Sequence, residues 1–234
     1  MENKGRVKKE ITVSVPCYND SGSLIAFHGQ LVDFASSNQD LRLFFLFIDD
    51  GSTDNTRDVL DEIKKRTPRC EIVHHKENLG FGPTFREAFT LPKTEYVFFI
   101  PADGQFPIKN LRNLTSSIQD KDFVLGIRKT RKDNAYRRFN SMLYNRIVSM
   151  TAGVEIQDIN SILLFRNKIF KNVFLKSNSA FVNAELVLEA LKGGFRLGQV
   201  EIEHIPRRYG TGSGGKVSVI VPTALDFFRY LCRA

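Results

Sequence analysis

The sequence predicts an α/β fold, a mostly parallel sheet flanked by helices on both faces. Three observations predict it. Short β-branched or aromatic runs alternate with helix-spaced apolar residues from Ile11 to Leu125. Polar turn residues, several of them aspartates, close these runs. One run, Leu43–Ile48, is apolar without interruption, as in a strand buried on both sides. Strands alternating with helices build right-handed βαβ units.

The elements follow in order. Ile11–Val15 reads as the first strand, ended by Pro16-Cys17-Tyr18-Asn19-Asp20. A helix capped near Ser21 or Ser23 places Leu24, Phe27, Leu31 and Phe34 on one face. After the strand Leu43–Ile48, the acids of Asp49-Asp50-Gly51 form a turn, and Asp54 is the expected cap of a helix carrying Val59, Leu60 and Ile63. Glu71–Val73 is a short third strand, Phe85–Leu91 a helix, and Tyr96–Ile100 a fourth strand closed by Pro101-Ala102-Asp103-Gly104. A helix over about Pro107–Ile118 and a strand at Phe123–Leu125 complete the first half. Tyr136–Thr151 and Ala184–Leu191 are helical in pattern, Ile159–Phe165 and Arg196–Ile205 strand-like. Val217, Ile220, Val221, Leu225, Phe228 and Leu231 make one apolar face of a last helix, which either packs on the domain or docks on a membrane.

Composition removes several function classes. With 234 residues, 42% of them hydrophobic and 20 of them Phe, the chain can bury a sizeable core and is not a disordered segment. No apolar run approaches the roughly 20 residues that cross a bilayer, and no apolar segment follows the basic start as in a secretory signal. Cys17, Cys70 and Cys232 show no CxxC spacing, so neither a disulfide framework nor a zinc site is expected, and a reducing compartment is. The formal charge is +8, and the window Gly126–Arg146, with seven basic residues against Asp133, carries a net +6 of it. Such a run is either a solvated helix face or a site for an anionic partner. Nucleic acid is not the expected partner, because no RRM, KH or helix-turn-helix signature accompanies the charge.

The acids at strand ends carry the chemistry. In parallel sheets ligands bind beyond the carboxyl ends of the strands, where Asp20, Asp49, Asp50 and Asp103 fall. A nucleotide diphosphate that leaves as an anion needs a divalent cation, and Asp103 with Gln105 supplies two hard oxygens on one turn. Asp49-Asp50-Gly51-Ser52 can accept hydrogen bonds from a base and a ribose. Two phosphate-loop lookalikes fail on detail: Gly80-Phe81-Gly82 has Phe85 at the last glycine position, and Gly210–Lys216 is followed by Val217 where a Mg²⁺-binding Ser or Thr is needed. His28, His74, His75 and His204 have no metal-ligand spacing and read as surface or structural residues. No GxSxG elbow is present.

Taken together these segments resemble family 2 glycosyltransferases of the GT-A (Rossmann-like) fold, nearest to the dolichol-phosphate mannose synthase group, which glycosylates polyprenyl phosphates. The resemblance spans about Val13 to Lys216. It rests on Val15–Asp20, Ile48–Asp54, Asn78–Gly82, Ala102–Pro107, Gly126–Arg128, Tyr136–Arg138, Asp158–Ser161 and Arg207–Gly210. It implies that Pro16, Tyr18, Asp20, Ile48, Asp50, Ala102 and Asp103 hold a GDP- or UDP-sugar donor. Asp103 and Gln105 would ligate Mg²⁺ or Mn²⁺. Arg128, Arg137 and Ser141 would grip the acceptor phosphate, and Arg207 or Arg208 would close over the phosphates. Asp103, Arg128 and Arg137 are thus the implied catalytic residues.

Two departures stand out: Pro101 replaces an aspartate that usually opens the metal motif, and Asp20 replaces a glutamate. A phosphate acceptor is already anionic and requires positioning by arginines, not a strong base. A sugar-hydroxyl acceptor, the alternative, requires a base, for which Asp158 is the motif-placed candidate. The expected organisation is one GT-A unit over residues 1–234, with a nucleotide-sugar half at about 10–126, an acceptor half at about 127–216 and an amphipathic segment at 217–234. The expected location is cytoplasmic, peripheral at the cytoplasmic face of a membrane.

Overall fold

The computed structural model describes residues 8–128, 135–206 and 216–233, with the side chains of 135–137 excepted. Its sheet orders seven strands as β3-β2-β1-β4-β6-β5-β7. These are β1 (Lys9–Cys17), β2 (Leu41–Asp49), β3 (Cys70–His74), β4 (Tyr96–Phe99), β5 (Phe123–Arg128), β6 (Leu163–Arg166) and β7 (Leu197–Ile202). All neighbours run parallel except β6, which is antiparallel to both β4 and β5. The strand-like stretch Ile159–Phe165 therefore pairs only from Leu163, in the opposite direction, because its first residues form a turn.

The helices are α1 (Ser21–Ser37), α2 (Thr56–Arg66), α3 (Phe81–Thr90), α4 (Asn110–Ser117), α5 (Ala135–Ala152), α6 (Val182–Lys192) and α7 (Val217–Leu231). Alternation along the strands divides the core in two. Ile11, Val13 and Val15 of β1 meet Leu24, Phe27 and Leu31 of α1, Leu60 of α2 and Leu111 of α4 on one face. Ile48, Val97, Phe99 and Phe165 meet Phe89 of α3, Val148 of α5, Leu186 of α6 and Tyr230 of α7 on the other. Each fully buried Phe or Leu contributes about 1.5–3 kcal/mol by leaving water. Edge-on contacts of Phe89 with Phe85 and Phe165 fix the second layer further.

Asp54 does not occupy the cap position expected of it. Helix α2 starts at Thr56 with Asn55 as its cap residue. Asp54 lies one residue earlier and uses both oxygens across two segments: Oδ1 accepts from the Thr56 amide, and Oδ2 accepts from the Ser21 amide and hydroxyl. Its carboxylate thereby locks the start of α2 to the start of α1. These hydrogen bonds outweigh the effect of burial and hold its pKa below the usual carboxylate range.

Candidate active site at the carboxyl rim of the sheet

The chain runs outward from β1 to β2 and β3, then returns to β4 on the other side of β1. This reversal puts the switch point of the topology at the carboxyl ends of β1 and β4, where ligands bind in such sheets. Loops 16–20, 49–54 and 101–105 meet there. The Asp50 amide donates to the Cys17 carbonyl (2.9 Å), and the Ala102 amide donates to the Pro16 carbonyl (3.4 Å). The Ser23 hydroxyl donates to the Ala102 carbonyl (2.8 Å). Asn19, at φ 55°, accepts the Thr53 and Asp54 amides on its side-chain oxygen. That left-handed conformation suits asparagine, whose short polar side chain bonds locally.

Within this rim the expected donor residues divide by orientation. Tyr18 is exposed, and Asp20 Oδ2 accepts the Tyr18 amide. Ile48 and Ala102 have their side chains in the core, so only their backbone faces the rim. Asp50 is buried: Oδ1 accepts the Leu79 amide (2.8 Å) and Oδ2 the Gly80 amide (3.0 Å), so its carboxylate anchors the loop before α3. Asp49 accepts the Ser52 amide and a His74 ring N–H. Burial alone would raise the Asp49 pKa, but bonds from Ser52 and His74 outweigh it and hold the value below the usual range. Gly51 stands at φ 66°, and a Cβ there would lie 2.3 Å from the Glu77 carbonyl carbon, which explains the glycine.

The second half of the rim is joined through Phe106. Asp103 Oδ1 accepts the Gln105 amide, closing the turn after β4. The Gln105 side chain meets His204 Nε2 at 3.2 Å, and the Ile205 amide donates to the Gln105 carbonyl. Of the two readings open for His204, surface or structural, these contacts give the structural one; Phe106 packs beside its ring, 5.2 Å between centroids. The Phe106 ring also lies 6.0 Å from the Arg128 guanidinium. Arg128, at the end of β5, forms a two-pronged pair with Asp158, Nε to Oδ2 at 2.6 Å and Nη2 to Oδ1 at 2.7 Å. Both side chains are largely buried.

The Asp103–Gln105 turn can hold a divalent cation only in part. Among the described residues no three His, Cys, Asp or Glu side chains gather into a metal cage. One carboxylate and one amide oxygen do suit an ion whose remaining ligands are waters and substrate phosphates, the usual Mg²⁺ arrangement.

Ser141 lies on α5, and so does Arg137, whose side chain falls outside the described residues; Arg207, Arg208 and the loop 210–215 fall outside them as well. Helix α5 turns Phe139, Met142, Leu143, Ile147 and Met150 outward, and Phe139, Met142 and Met150 line an open groove of about 1120 Å³ with Arg138 and Arg146. A second groove, about 790 Å³, lies at the opposite end of the strands and touches none of the predicted site residues. Helix α7 attaches through Tyr230, whose hydroxyl donates to Glu189 (2.8 Å), and through Phe227 against Phe181. The apolar face expected of it points to solvent: Val217, Val221, Leu225 and Phe228 are all exposed. No helix among the described residues is long and apolar enough to cross a membrane.

The sheet is covered by helices on both faces, and carboxylates and Arg128 gather at the carboxyl ends of its strands. The chain belongs to the glycosyl transferase family 2, whose profile matches residues 12–188. It is similar to the undecaprenyl-phosphate 4-deoxy-4-formamido-L-arabinose transferase of Shewanella sediminis, 24% identical over 90% of this chain and 63% of that protein. The chain thus spans under two thirds of that relative's length. Its fold is shared with mannosyl-3-phosphoglycerate synthase from Rubrobacter xylanophilus (TM-score 0.70, 14% identity, 97% of this chain and 76% of that one). It is shared also with a mannosyltransferase from Pyrobaculum calidifontis solved with GDP-Man and Mn²⁺ (TM-score 0.65, 16% identity, 95% of this chain and 65% of that one).

Proposed function

We propose that the protein is an inverting glycosyltransferase that moves a sugar from a GDP- or UDP-sugar to a polyprenyl phosphate. One observation carries the reading: Phe106, the residue that directly follows the Asp103–Gln105 turn, lies within 6.0 Å of the Arg128 guanidinium of the Arg128–Asp158 pair, so a donor diphosphate and an anionic acceptor would share one rim. The Shewanella relative, named for an undecaprenyl-phosphate acceptor, supports the acceptor class. Asp103 and Gln105 would hold Mg²⁺ or Mn²⁺, which supplies neutralisation of the diphosphate as it leaves.

The chain's own groups do the rest. Loops 16–20 and 49–54 cradle the nucleotide. The arginines hold the acceptor phosphate, already ionised, for in-line attack on the anomeric carbon, and the bond to the diphosphate oxygen breaks as the new C–O bond forms. A hydroxyl acceptor would need a base, and Asp158 suits that poorly because both its oxygens accept from Arg128.

The outward apolar residues of α5 and α7, interspersed with Arg138, Arg146 and Arg229, suit peripheral contact with an anionic membrane at its cytoplasmic face, where a polyprenyl phosphate resides. In this reading residues 1–234 act as one GT-A unit, nucleotide half first. The test is incubation with Mn²⁺, a panel of nucleotide sugars and a short polyprenyl phosphate, with the product identified by mass. A glycosyl phospholipid is expected, and Arg137→Ala should raise the acceptor KM. Transfer only to hydroxyl acceptors, or an unchanged acceptor KM in the variant, contradicts the proposal.

A further inference from the structure

Beyond the acids already described, the rim contains a histidine, its side chain 7% exposed, with two carboxylate partners. His75 follows β3, and its amide donates to the Asp49 carbonyl (2.9 Å). Its ring lies between Asp50 Oδ1 at Nδ1 (2.9 Å) and Glu87 Oε2 at Nε2 (3.0 Å). An ionised carboxylate only accepts hydrogen bonds, so a ring that satisfies both partners must carry a proton on each nitrogen. Asp50 and Glu87 come from different elements, the turn after β2 and the middle of α3. Asp50 in turn holds the Leu79 and Gly80 amides at the start of α3. The backbone of this loop presses against Gly51, in the donor-facing turn.

We infer that His75 is a positioning residue for the nucleotide end of the site: as an imidazolium it ties the carboxylate that anchors the 78–80 loop to Glu87 of α3. Only the identification of the loop's ligand as a nucleotide diphosphate depends on the function proposed above; the bridge itself does not. The charged groups facing the ring from the packed elements are Asp50 and Glu87, and neighbouring Asp49 is engaged by His74. Burial favours the neutral ring, but the hydrogen bonds and charges of Glu87 and Asp50 outweigh it and raise the His75 pKa.

The bridge is therefore complete below the ordinary histidine pKa of about 6.5 and is lost as pH rises through the higher folded value. On deprotonation the Glu87 arm releases first. Glu87 is about one-third exposed and can turn to water, whereas Asp50 is buried and retains the remaining ring proton.

The test joins a titration to a binding curve. Imidazole resonances of His75 are followed by NMR from acid to alkaline pH in the wild type and Glu87→Gln, and amide resonances of Leu79 and Gly80 in both of these and in His75→Asn. GDP and UDP affinities with Mn²⁺ are measured across the same range. The ring and both amides should share one midpoint above about 6.5, and Glu87→Gln should lower it. Nucleotide affinity should weaken about tenfold across that midpoint, the scale of one charge-assisted hydrogen bond, and stay level in His75→Asn. Amides that ignore the ring's titration, or a ring midpoint below the ordinary value, overturn the inference. A normal shared titration with neither nucleotide binding at any pH supports the bridge and overturns the glycosyltransferase reading instead.

Discussion

Replacing Asp158 with alanine tests whether Arg128, the arginine proposed to face the acceptor, is held or merely present. Arg128 and Asp158 form two parallel hydrogen bonds of 2.6 and 2.7 Å, with side chains 11% and 3% exposed. Removing the carboxylate strands a buried guanidinium, at a cost of about 3–5 kcal/mol. For a chain of this size each kcal/mol moves Tm by about 2–4 °C, so the fall should be roughly 6–20 °C. Thermal melts followed by circular dichroism read it directly. The double variant Arg128→Met/Asp158→Leu, which removes both charges, should recover most of the loss. If the single variant costs less than about 1 kcal/mol, the pair behaves as a surface ion pair and cannot be what fixes Arg128.

Other outcomes follow from the same geometry. Asp103→Ala should lower transfer by about 10²-fold or more while Tm moves by no more than about 3 °C, measured on the same preparation. Gly51→Ala should cost about 2–4 kcal/mol in urea denaturation, because the new Cβ meets Glu77 backbone at 2.3 Å in a left-handed turn. Phe228→Asp should weaken binding to phosphatidylglycerol vesicles about tenfold or more without lowering Tm, since that ring is 65% exposed and Tyr230 makes the contact with the domain. Because Asp49 and Asp54 have depressed pKa values, their stabilisation is present above about pH 4 and lost as pH falls through their folded values. Urea midpoints should drop on that acid limb, and less steeply in Asp49→Asn.

Local pattern revealed what local physics controls. The apolar spacing Leu24, Phe27, Leu31 and Phe34 identified the buried face of α1, and the aspartates after the apolar runs marked the rim where β1, β2 and β4 end. Contacts set by register were not legible. Gln105 and His204 are 99 residues apart in sequence and meet only because β7 is drawn to α4 through Asn110 and Glu203. His75 gains its partners from the end of β2 and from α3, which no spacing of histidines encodes. The direction of β6 likewise depends on how the chain returns from α5, not on its own residues. The face of α7 was readable as apolar, but its exposure was not, because Phe227 and Tyr230 take the domain contacts from an adjacent stripe.

The most direct measurement of the shared rim is phosphorus relaxation in a ternary complex of protein, Mn²⁺ with a nucleoside diphosphate, and a short polyprenyl phosphate. Paramagnetic Mn²⁺ held at Asp103 should broaden the acceptor's phosphorus signal strongly, and Asp103→Ala should abolish that broadening while the acceptor still binds. An acceptor that binds with its phosphorus relaxation unaffected by the metal would place the two phosphates in separate clefts and contradict the account.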